Sequence, residues 1–592
     1  MSVLSSITSF LSLIFHLDPD NSILNLSNYT YPSPKDSNYT YVAIMSTTDV
    51  HGYAFHRQFP SLSNFSYGGA SLMYSYMKAL RSEWGDRFLW FDSGDKYQGG
   101  LESTLSNGTI MTDFYNYAEL DVSVLGNHEF DFGFDYLFNQ MNKSDSPFLT
   151  TNLKNKHTNG TEAFNNTQNY IQSKVFKLGK GITIGMVGYT PEFNYYPKKV
   201  LEDILFLNIT NGIVKEAQRL RDEEKVSTVI LLIHNGVVCR GDDTTIGVYN
   251  ASHSVDDSSC DKENEIYKFI MNEMPDGLID AVIGGHVHYP GHHFFKGIPV
   301  IHSQDKGVHF HILYLPFKDG KIVKESIQVE GPVPVCNMIS AETKKCTINE
   351  KNSKMYPFYF HNYRIRSDKR LERKILQKYE AEFEKYRQYI CYNEYEELTR
   401  SAVENALGNM QCDIIRNVSN ADFSILNNGA FRATWYEGPL YLEDIYNMNP
   451  FKSIITTFEV NGEEFFKMLL ALQGKKGFSQ TSGVRQYFKL IDGKYVLQRI
   501  TMLNGDEIDK QKNYTFAMND YLANGGDEFK KIFEWYTIRN RKEHGTVNDA
   551  LEKTLKEMER IKKGTFYEED KEKRRVVIIE DEPVEPVEPT EN

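Results

Sequence analysis

The sequence predicts an α/β protein of two domains joined by a long helix. Three observations carry this reading. The chain has 592 residues, more than one hydrophobic core supports, so two or more domains are expected. A local grammar repeats along the first half: a short apolar run, then polar residues, then a helical stretch. The third observation is a composition shift at residues 367–392. There the run RLERKILQKYEAEFEKYRQYI is charged, apolar at helical spacing and free of Gly and Pro. It reads as one helix connecting two differently organised halves.

The repeated grammar defines the strands. Residues 41–45 run into Ser46-Thr47-Thr48-Asp49, residues 88–91 into Asp92-Ser93-Gly94-Asp95, and residues 122–125 into Gly126-Asn127-His128. Residues 182–187 lead to Gly188-Tyr189-Thr190, 229–233 to His234-Asn235-Gly236, and 281–283 to Gly284-Gly285-His286. This is strand followed by loop in α/β order, and ligands gather at the carboxyl ends of such strands. Residues 395–565 mix α and β patterns, with a Gly-containing segment at 474–483. No internal repeat of solenoid length occurs.

The ends read differently. Residues 3–17 are apolar apart from Ser, Thr and His. A membrane span needs about 20 such residues, so this length suits the hydrophobic region of a signal peptide over residues 1–18. No Lys or Arg precedes it. Residues 18–40, with Pro32, Pro34 and several Asn, read as a disordered lead-in. Residues 568–592 end in EDEPVEPVEPTEN and read as a disordered acidic, Pro-rich tail, without the hydrophobic segment of a glycolipid-anchor signal.

Composition bounds the partners. The formal net charge of −14 repels a nucleic-acid backbone, which argues against polymer binding but not against small nucleotides. Aromatics at 13% and apolar residues at 40% leave ample material for cores. Twelve Asn-x-Ser/Thr sequons occur, among them Asn28, Asn64, Asn107, Asn208 and Asn513. Chance in an Asn- and Ser/Thr-rich chain gives roughly half as many, so they favour a secretory route. Six cysteines fall as sequence neighbours: Cys239 with Cys260, Cys336 with Cys346, and Cys391 with Cys412. Three local disulfides are the natural reading among the 15 connectivities that six cysteines allow. No CxxC occurs, which argues against a Cys-ligated zinc site. The stretch from Cys239 to Cys260 reads either as a specificity loop beside His234 or as a surface excursion pinned by a disulfide.

Five segments carry metal-binding chemistry, each at the end of an apolar run: Asp49-x-His51, Asp95, Asn127-His128, His234 and His286-x-His288. Imidazole with carboxylate suits Zn, Mn or Fe rather than Ca. A lone His or Asp at a strand end is an ordinary polar loop residue; five such segments in one α/β half are not.

TTDVHG, DSGD, GNHEFDFG, a strand-terminal His and GGHVH, in this order, resemble the calcineurin-like metallophosphoesterase superfamily. GNHEFDFG and the second half resemble 5'-nucleotidases within it. The resemblance covers about residues 41–550. It implies a four-layer α/β/β/α metallophosphoesterase domain at 41–335, the connecting helix at 367–392, and an α/β nucleotide-binding 5'-nucleotidase C-terminal domain at 393–565. It also implies two divalent metal ions, Zn first, with Mn, Co or Fe as alternatives. Asp49, His51, Asp95 and His288 would hold one ion. Asp95, Asn127, His234 and His286 would hold the other, with Asp95 bridging. Asp92 is the rival carboxylate, and the family motif favours the residue directly after Gly. His128 is implied as the histidine that stabilises phosphoryl oxygens or protonates the leaving group, oriented by Asp131. Asp131 has a plainer reading as a helix N-cap. His288 departs from the Asn or Gln common in nucleotidases.

In the second half, ILNNGAFR, NPF and NDYLANGGDEF resemble the family's substrate segments. Carried over residue by residue, Asn427 and Arg432 would bind phosphate or ribose, Phe451 and Tyr521 would stack on the base, and Asp527 would accept from ribose hydroxyls. Tyr521 stands where Phe is usual, and Val403 stands before Glu404 where the family carries Arg, with Arg400 nearby. The resemblance implies base and sugar held by one domain, metals by the other, and a domain rotation that brings them together. The expected activity is hydrolysis of nucleoside 5'-monophosphates by a secreted enzyme through a metal-activated water. An apyrase, a UDP-sugar hydrolase, a 2',3'-cyclic-nucleotide phosphodiesterase and a non-catalytic nucleotide-binding or adhesion protein are the alternatives.

Overall fold

The structure is a computed structural model. It describes the chain apart from residues 1–35, 37, 56, 59–64, 159–160, 165–166, 168, 194–195, 197, 240–246, 252–258, 341–345, 347–354, 399–402, 472–478, 492–493, 528, 530–538, 567–573 and 580–592. The signal peptide at 1–18, Arg400 and the acidic end of the tail lie outside the described residues. The chain divides into one unit running to Lys385 and a second spanning Tyr386–Asn592.

Strand periodicity builds the first unit. In the strand Thr40–Thr47, Ala43 and Met45 point one way and Val42 and Ile44 the other, because successive side chains alternate faces. Met45 joins Leu72, Met73, Tyr76, Met77 and Leu80 of the helix Ala70–Trp84 in one buried cluster. Val42 and Ile44 instead meet Ile184, Met186, Ile230, Leu232 and Ile283 from a second sheet. That second sheet turns Val187, Val229, Leu231 and Ile233 toward Ile213, Ala217 and Leu220 of the helix Ile209–Asp222. The layers are therefore helix, sheet, sheet, helix, as the sequence implied. Asn208 starts that last helix by accepting a hydrogen bond from the Asn211 amide.

Among the described residues the first sheet has nine strands, with Thr40–Thr47 parallel to Phe88–Asp92 and antiparallel to His309–Lys318. The second has six, with Ile182–Tyr189, Thr228–Ile233, Ala281–Gly284 and Ile298–His302 running parallel. All six predicted strands are present.

The second unit packs a five-stranded sheet and a three-stranded sheet over a core that includes Phe423, Phe458, Phe465, Phe516 and Val484. The helix Ala406–Ser419 begins where Asn405 accepts from the Gly408 amide.

Three expectations need correction. The single helix at 367–392 is instead two short helices, Lys369–Leu376 and Glu380–Glu384, followed by the strand Tyr389–Leu398. Leu371, Ile375 and Phe383 are buried in the core of the first unit, so this segment is anchored there rather than spanning freely. Tyr389, Ile390 and Tyr392 are strand formers, and their strand pairs with Trp435–Tyr441. Of the three disulfides, Cys239–Cys260 and Cys336–Cys346 are formed, whereas Cys391 and Cys412 are buried thiols. Cys391 lies opposite Leu440 in a sheet, while Cys412 sits on a helix with Sγ 3.3 Å from the Gln480 carbonyl. Finally, the tail is not wholly irregular. Val576–Ile579 adds a parallel strand beside Val484–Ile491, and the Glu404 carboxylate accepts from the Arg575 and Val576 amides at 2.7 and 2.9 Å. The β-branched run Val576 to Ile579 is the sequence signal for it.

The stretch between Cys239 and Cys260 contributes Gly247–Tyr249 as an edge strand of the nine-stranded sheet.

One buried ion-pair cluster ties the end of the first unit to its core. His361 Nδ1 lies 2.5 Å from Glu83 and its Nε2 lies 3.3 Å from Glu330, which also accepts from the Tyr314 hydroxyl. Burial disfavours the imidazolium, but the two carboxylates outweigh it and raise the His361 pKa from 6.5 to about 9. A raised folded-state value stabilises the fold below pH 6.5 and loses that contribution as pH rises through 9. Burial raises the Glu330 carboxyl as well, and that group too loses its contribution as pH rises, over the lower range in which a carboxyl titrates. Stability to urea in the wild-type protein is expected to fall between about pH 6.5 and 10, and His361→Asn to flatten that slope. Equal slopes for both proteins remove this account.

Candidate metal centre

Both sheets of the first unit deliver polar residues to the same edge, the carboxyl ends of their parallel strands. Asp49 and His51 follow Thr40–Thr47, Asp95 follows Phe88–Asp92, and Asn127 and His128 follow Val122–Val124. His234 follows Thr228–Ile233, and His286 and His288 follow Ala281–Gly284.

The chain bends sharply to place them. Asp49, His51, Asp95, His286 and His288 all adopt left-handed backbone, with φ of 51, 49, 54, 71 and 56°. Each non-glycine residue held there costs about 1–3 kcal/mol. Backbone bonds impose it: Asp49 N–H donates to Gly94 O, His51 N–H to Asp95 O, and Lys306 N–H to Asp49 O, at 2.7–2.9 Å. Gly126 is required by contact, since a Cβ there would lie 2.2 Å from Asp95 Oδ1.

Two groups of donor atoms form, each spanning no more than 4.8 Å: Asp49, His51, Asp95 and His288 in one, and Asp95, His234 and His286 in the other. Asp95 is common to both. Its Oδ1 accepts from the His128 amide, and its Oδ2 lies 3.1 Å from His234 Nε2 and 3.8 Å from His51 Nε2. Asn127 Oδ1 joins the second group, 3.2 Å from His234 Nε2 and 3.1 Å from His286 Nδ1. Asp92 is turned away: Gly94 N–H, Thr47 and Tyr115 occupy its oxygens, and burial pushes its carboxyl up to about 6.

The residues fit divalent cations. Among the described residues, Asp49 Oδ1 and Asp95 Oδ2 are buried with no hydrogen bond, which carboxylate oxygens do not tolerate unless something positive faces them. The histidines are preset as ligands. His51 Nδ1 lies 2.8 Å from Gln98 O and His234 Nδ1 lies 2.7 Å from Ser93 O. A carbonyl only accepts, so both Nδ1 atoms carry a proton, which leaves Nε2 as the nitrogen offered to the cluster. Burial opposes ionisation of Asp49 and Asp95, yet the facing imidazoles hold both carboxyls well below the usual range.

His128 stands beside these donor groups, its Nδ1 2.6 Å from Asp131 Oδ2. Four neighbours carry no role in the sequence reading. Glu129 is buried and accepts from the Asp95, Lys96 and Gly126 amides at 2.8, 2.6 and 2.5 Å, which fixes the turn that carries Asp95. Its place inside GNHEFDFG is the available signal. Phe193 stacks on His286 with ring centroids 4.3 Å apart. Asp305 and Lys306 follow the strand Ile298–His302, and no sequence motif points to them.

In the second unit, Asn427 Nδ2 donates to Asp527 Oδ2 at 2.7 Å and the Tyr521 hydroxyl to Asp527 Oδ1 at 3.1 Å. Arg432 lies over the Phe451 ring at 5.1 Å. The structure thus joins Asn427, Tyr521 and Asp527 in one set and pairs Arg432 with Phe451. Asp527 does sit in a left-handed turn, φ 47°.

Comparison with known proteins agrees with this geometry. Residues 42–290 match the calcineurin-like phosphoesterase family and residues 387–534 match the 5'-nucleotidase C-terminal domain. The 5'-nucleotidase of Mus musculus is 23% identical over 83% of this chain and 84% of its own length. Protein 5NUC of Lutzomyia longipalpis is 29% identical over 44% of this chain, and the match spans 41% of that relative. The crystal structure of a 5'-nucleotidase precursor from Thermus thermophilus superposes with a TM-score of 0.70 at 18% identity, covering 92% of this chain and 100% of that one.

Gly126→Ala is expected to displace the Asp95 carboxylate and weaken metal uptake at both groups. Metal content after gel filtration, measured by atomic emission, checks this. A normal metal complement in the variant removes the close-approach argument.

Proposed function

Because the chain belongs to the 5'-nucleotidase family and is a metal-dependent phosphoric ester hydrolase, we propose that it hydrolyses nucleoside 5'-monophosphates to nucleoside and phosphate. The observation that carries the reading is one carboxylate, Asp95, shared by two sets of metal donors. Two ions are the natural occupants, Asp49, His51, Asp95 and His288 holding one and Asp95, Asn127, His234 and His286 the other. The mix of imidazole, carboxylate and amide oxygen favours Zn or Mn. Such a pair supplies Lewis-acid charge and an acidified water.

The remaining work falls to side chains. The bond from phosphorus to O5' breaks, a bond from phosphorus to the water oxygen forms, and the leaving oxygen gains a proton. Asp131 keeps the proton on His128 Nδ1, so Nε2 is the atom offered to a phosphoryl or leaving-group oxygen. Glu129 holds the Asp95 turn through three amides. Phe193 covers one face of His286 and keeps water from it. In the second unit, Phe451 and Tyr521 offer rings to a base, Asp527 with Asn427 offers polar groups to ribose, and Arg432 offers a guanidinium to an oxyanion.

Two disulfides suit an oxidising compartment, and the sequon residues Asn142, Asn208, Asn417 and Asn513 are exposed. No helix among the described residues is long and apolar enough to cross a membrane. Peptide N-glycosidase is expected to lower the mass of protein collected from the medium of eukaryotic cells. An unchanged mass, with all protein retained in the cells, removes the secretory reading.

Purified protein is expected to release phosphate from AMP, to stop on chelation and to recover with Zn, Mn or Co. His128→Asn should lower kcat by about 10²–10⁴ while leaving metal content intact. Turnover confined to ADP, ATP or a cyclic nucleotide would change the substrate and keep the site. Metal-loaded protein inert toward every phosphoester sinks the proposal.

A further inference from the structure

The His288 imidazole lies between two buried carboxylates. Its Nε2 is 3.2 Å from Asp49 Oδ1, and its Nδ1 is 3.4 Å from Asp305 Oδ2. His288 is also the more exposed of the facing pair, with an 18% accessible side chain against 5% for His51.

The two ring nitrogens that meet here pose a tautomer problem. His51 Nε2 and His288 Nε2 are 2.9 Å apart. His51 carries its proton on Nδ1, bound to the Gln98 carbonyl, so its Nε2 is a lone pair. Without a further constraint, His288 can settle these contacts by protonating its own Nε2 and donating to His51 Nε2 or to Asp49 Oδ1. That tautomer has no lone pair to give a cation. A carboxylate beside Nδ1 favours the opposite tautomer, with the proton on Nδ1 and the lone pair on Nε2.

Asp305 is built into place for this. It is buried, at 7% accessibility, and Lys306 Nζ lies 3.6 Å from its Oδ2. Lys306 takes a left-handed backbone, φ 58°, and its amide donates to the Asp49 carbonyl at 2.7 Å. The turn that carries Asp305 is therefore fastened to the same residue that His288 faces on its other side. His51 and His234 use neutral backbone carbonyls for the same purpose.

We propose that Asp305 is a positioning residue that fixes His288 in the metal-binding tautomer and so sets the affinity of the group formed by Asp49, His51, Asp95 and His288. The inference rests on the metal-site reading above, and it extends that reading to a residue outside every motif. The other donor group, with His234 and His286, does not depend on it.

Calorimetric titration of Zn²⁺ into metal-stripped full-length protein tests this without reference to turnover. Wild type is expected to take up two equivalents. Asp305→Asn should weaken one equivalent by about 10–100-fold and leave the other unchanged. Asp305→Glu, which keeps the charge, should recover part of the loss, and the absorption spectrum of the Co²⁺-loaded protein should change in the Asn variant only for the weakened site. Thermal unfolding of the metal-stripped variants reports their folding independently. His288→Ala separates the two levels of the argument. If it loses one equivalent while Asp305→Asn binds both as wild type does, the role of Asp305 is overturned and the ligand set stands. If His288→Ala itself binds two equivalents normally, the ligand set fails and the inference with it.

Discussion

The structure of the first unit turns on buried carboxylate oxygens that make no hydrogen bond among the described residues. Asp95 Oδ2 and Asp49 Oδ1 are both withdrawn from water in this state. Leaving a carboxylate so costs several kcal/mol, far more than the net gain of a single hydrogen bond. A chain whose whole stability is of order 5–15 kcal/mol does not keep two such atoms by accident. The left-handed backbone at Asp49, His51, Asp95, His286 and His288 adds to the same cost. Burial, strain and unmet polar atoms coincide at one edge, where a bound cation would face both carboxylates.

The layered fold supplies the rigidity this arrangement needs. Each strand is locked on both faces: Ala43 and Met45 on one side, Val42 and Ile44 on the other. Core side chains of this kind contribute about 1.5–3 kcal/mol each when fully buried. That packing fixes the strand ends, and the strand ends fix the turns. Glu129 then completes the job with three amide contacts, two of which hold the Asp95 and Lys96 amides on either side of the Asp95 Cα. Burial and the neighbouring Asp95 charge push the Glu129 carboxyl up to about 7, with the Lys96 ammonium opposing them, so even this organising group is held against its preference. A fold with looser sheets would relax these turns and disperse the donors.

Much of this is legible in the sequence, for a definite reason. The ligands follow their strands by a few residues, so apolar run and donor are neighbours in the chain as well as in space. Thr47 to His51 and Val124 to His128 show it. What the sequence hides depends on partners far away. Asp305 meets His288, and Glu404 meets Arg575 and Val576, through contacts that no local pattern encodes. The helix expected at 367–392 fails at a similar level. Its charged, Pro-free run is compatible with a helix everywhere, but burial of Leu371, Ile375 and Phe383 sets where helix is retained, and strand pairing claims the chain from Tyr389. Cys391 and Cys412 are close in sequence and are drawn into separate elements by the same long-range pairing.

The two units solve different problems, and their polar groups show it. In the first unit the functional side chains are largely buried and over-determined, held by packing, backbone bonds and neighbouring donors. In the second, the polar groups of Asn427, Tyr521 and Asp527 hold one another, and Arg432 covers the Phe451 ring. Tyr521 illustrates the difference. Its hydroxyl, absent from the Phe usual at that position, reaches Asp527 without disturbing the core beneath it, where Leu522 and Phe516 are fully buried. A change of that kind alters what the polar set presents to a ligand and leaves the fold intact. The same freedom does not exist at Gly126 or Glu129, where one added atom meets the Asp95 carboxylate and one lost charge frees the Asp95 amide. Single side chains of the polar set in the second unit can therefore change, while the donor groups of the first are held as a block.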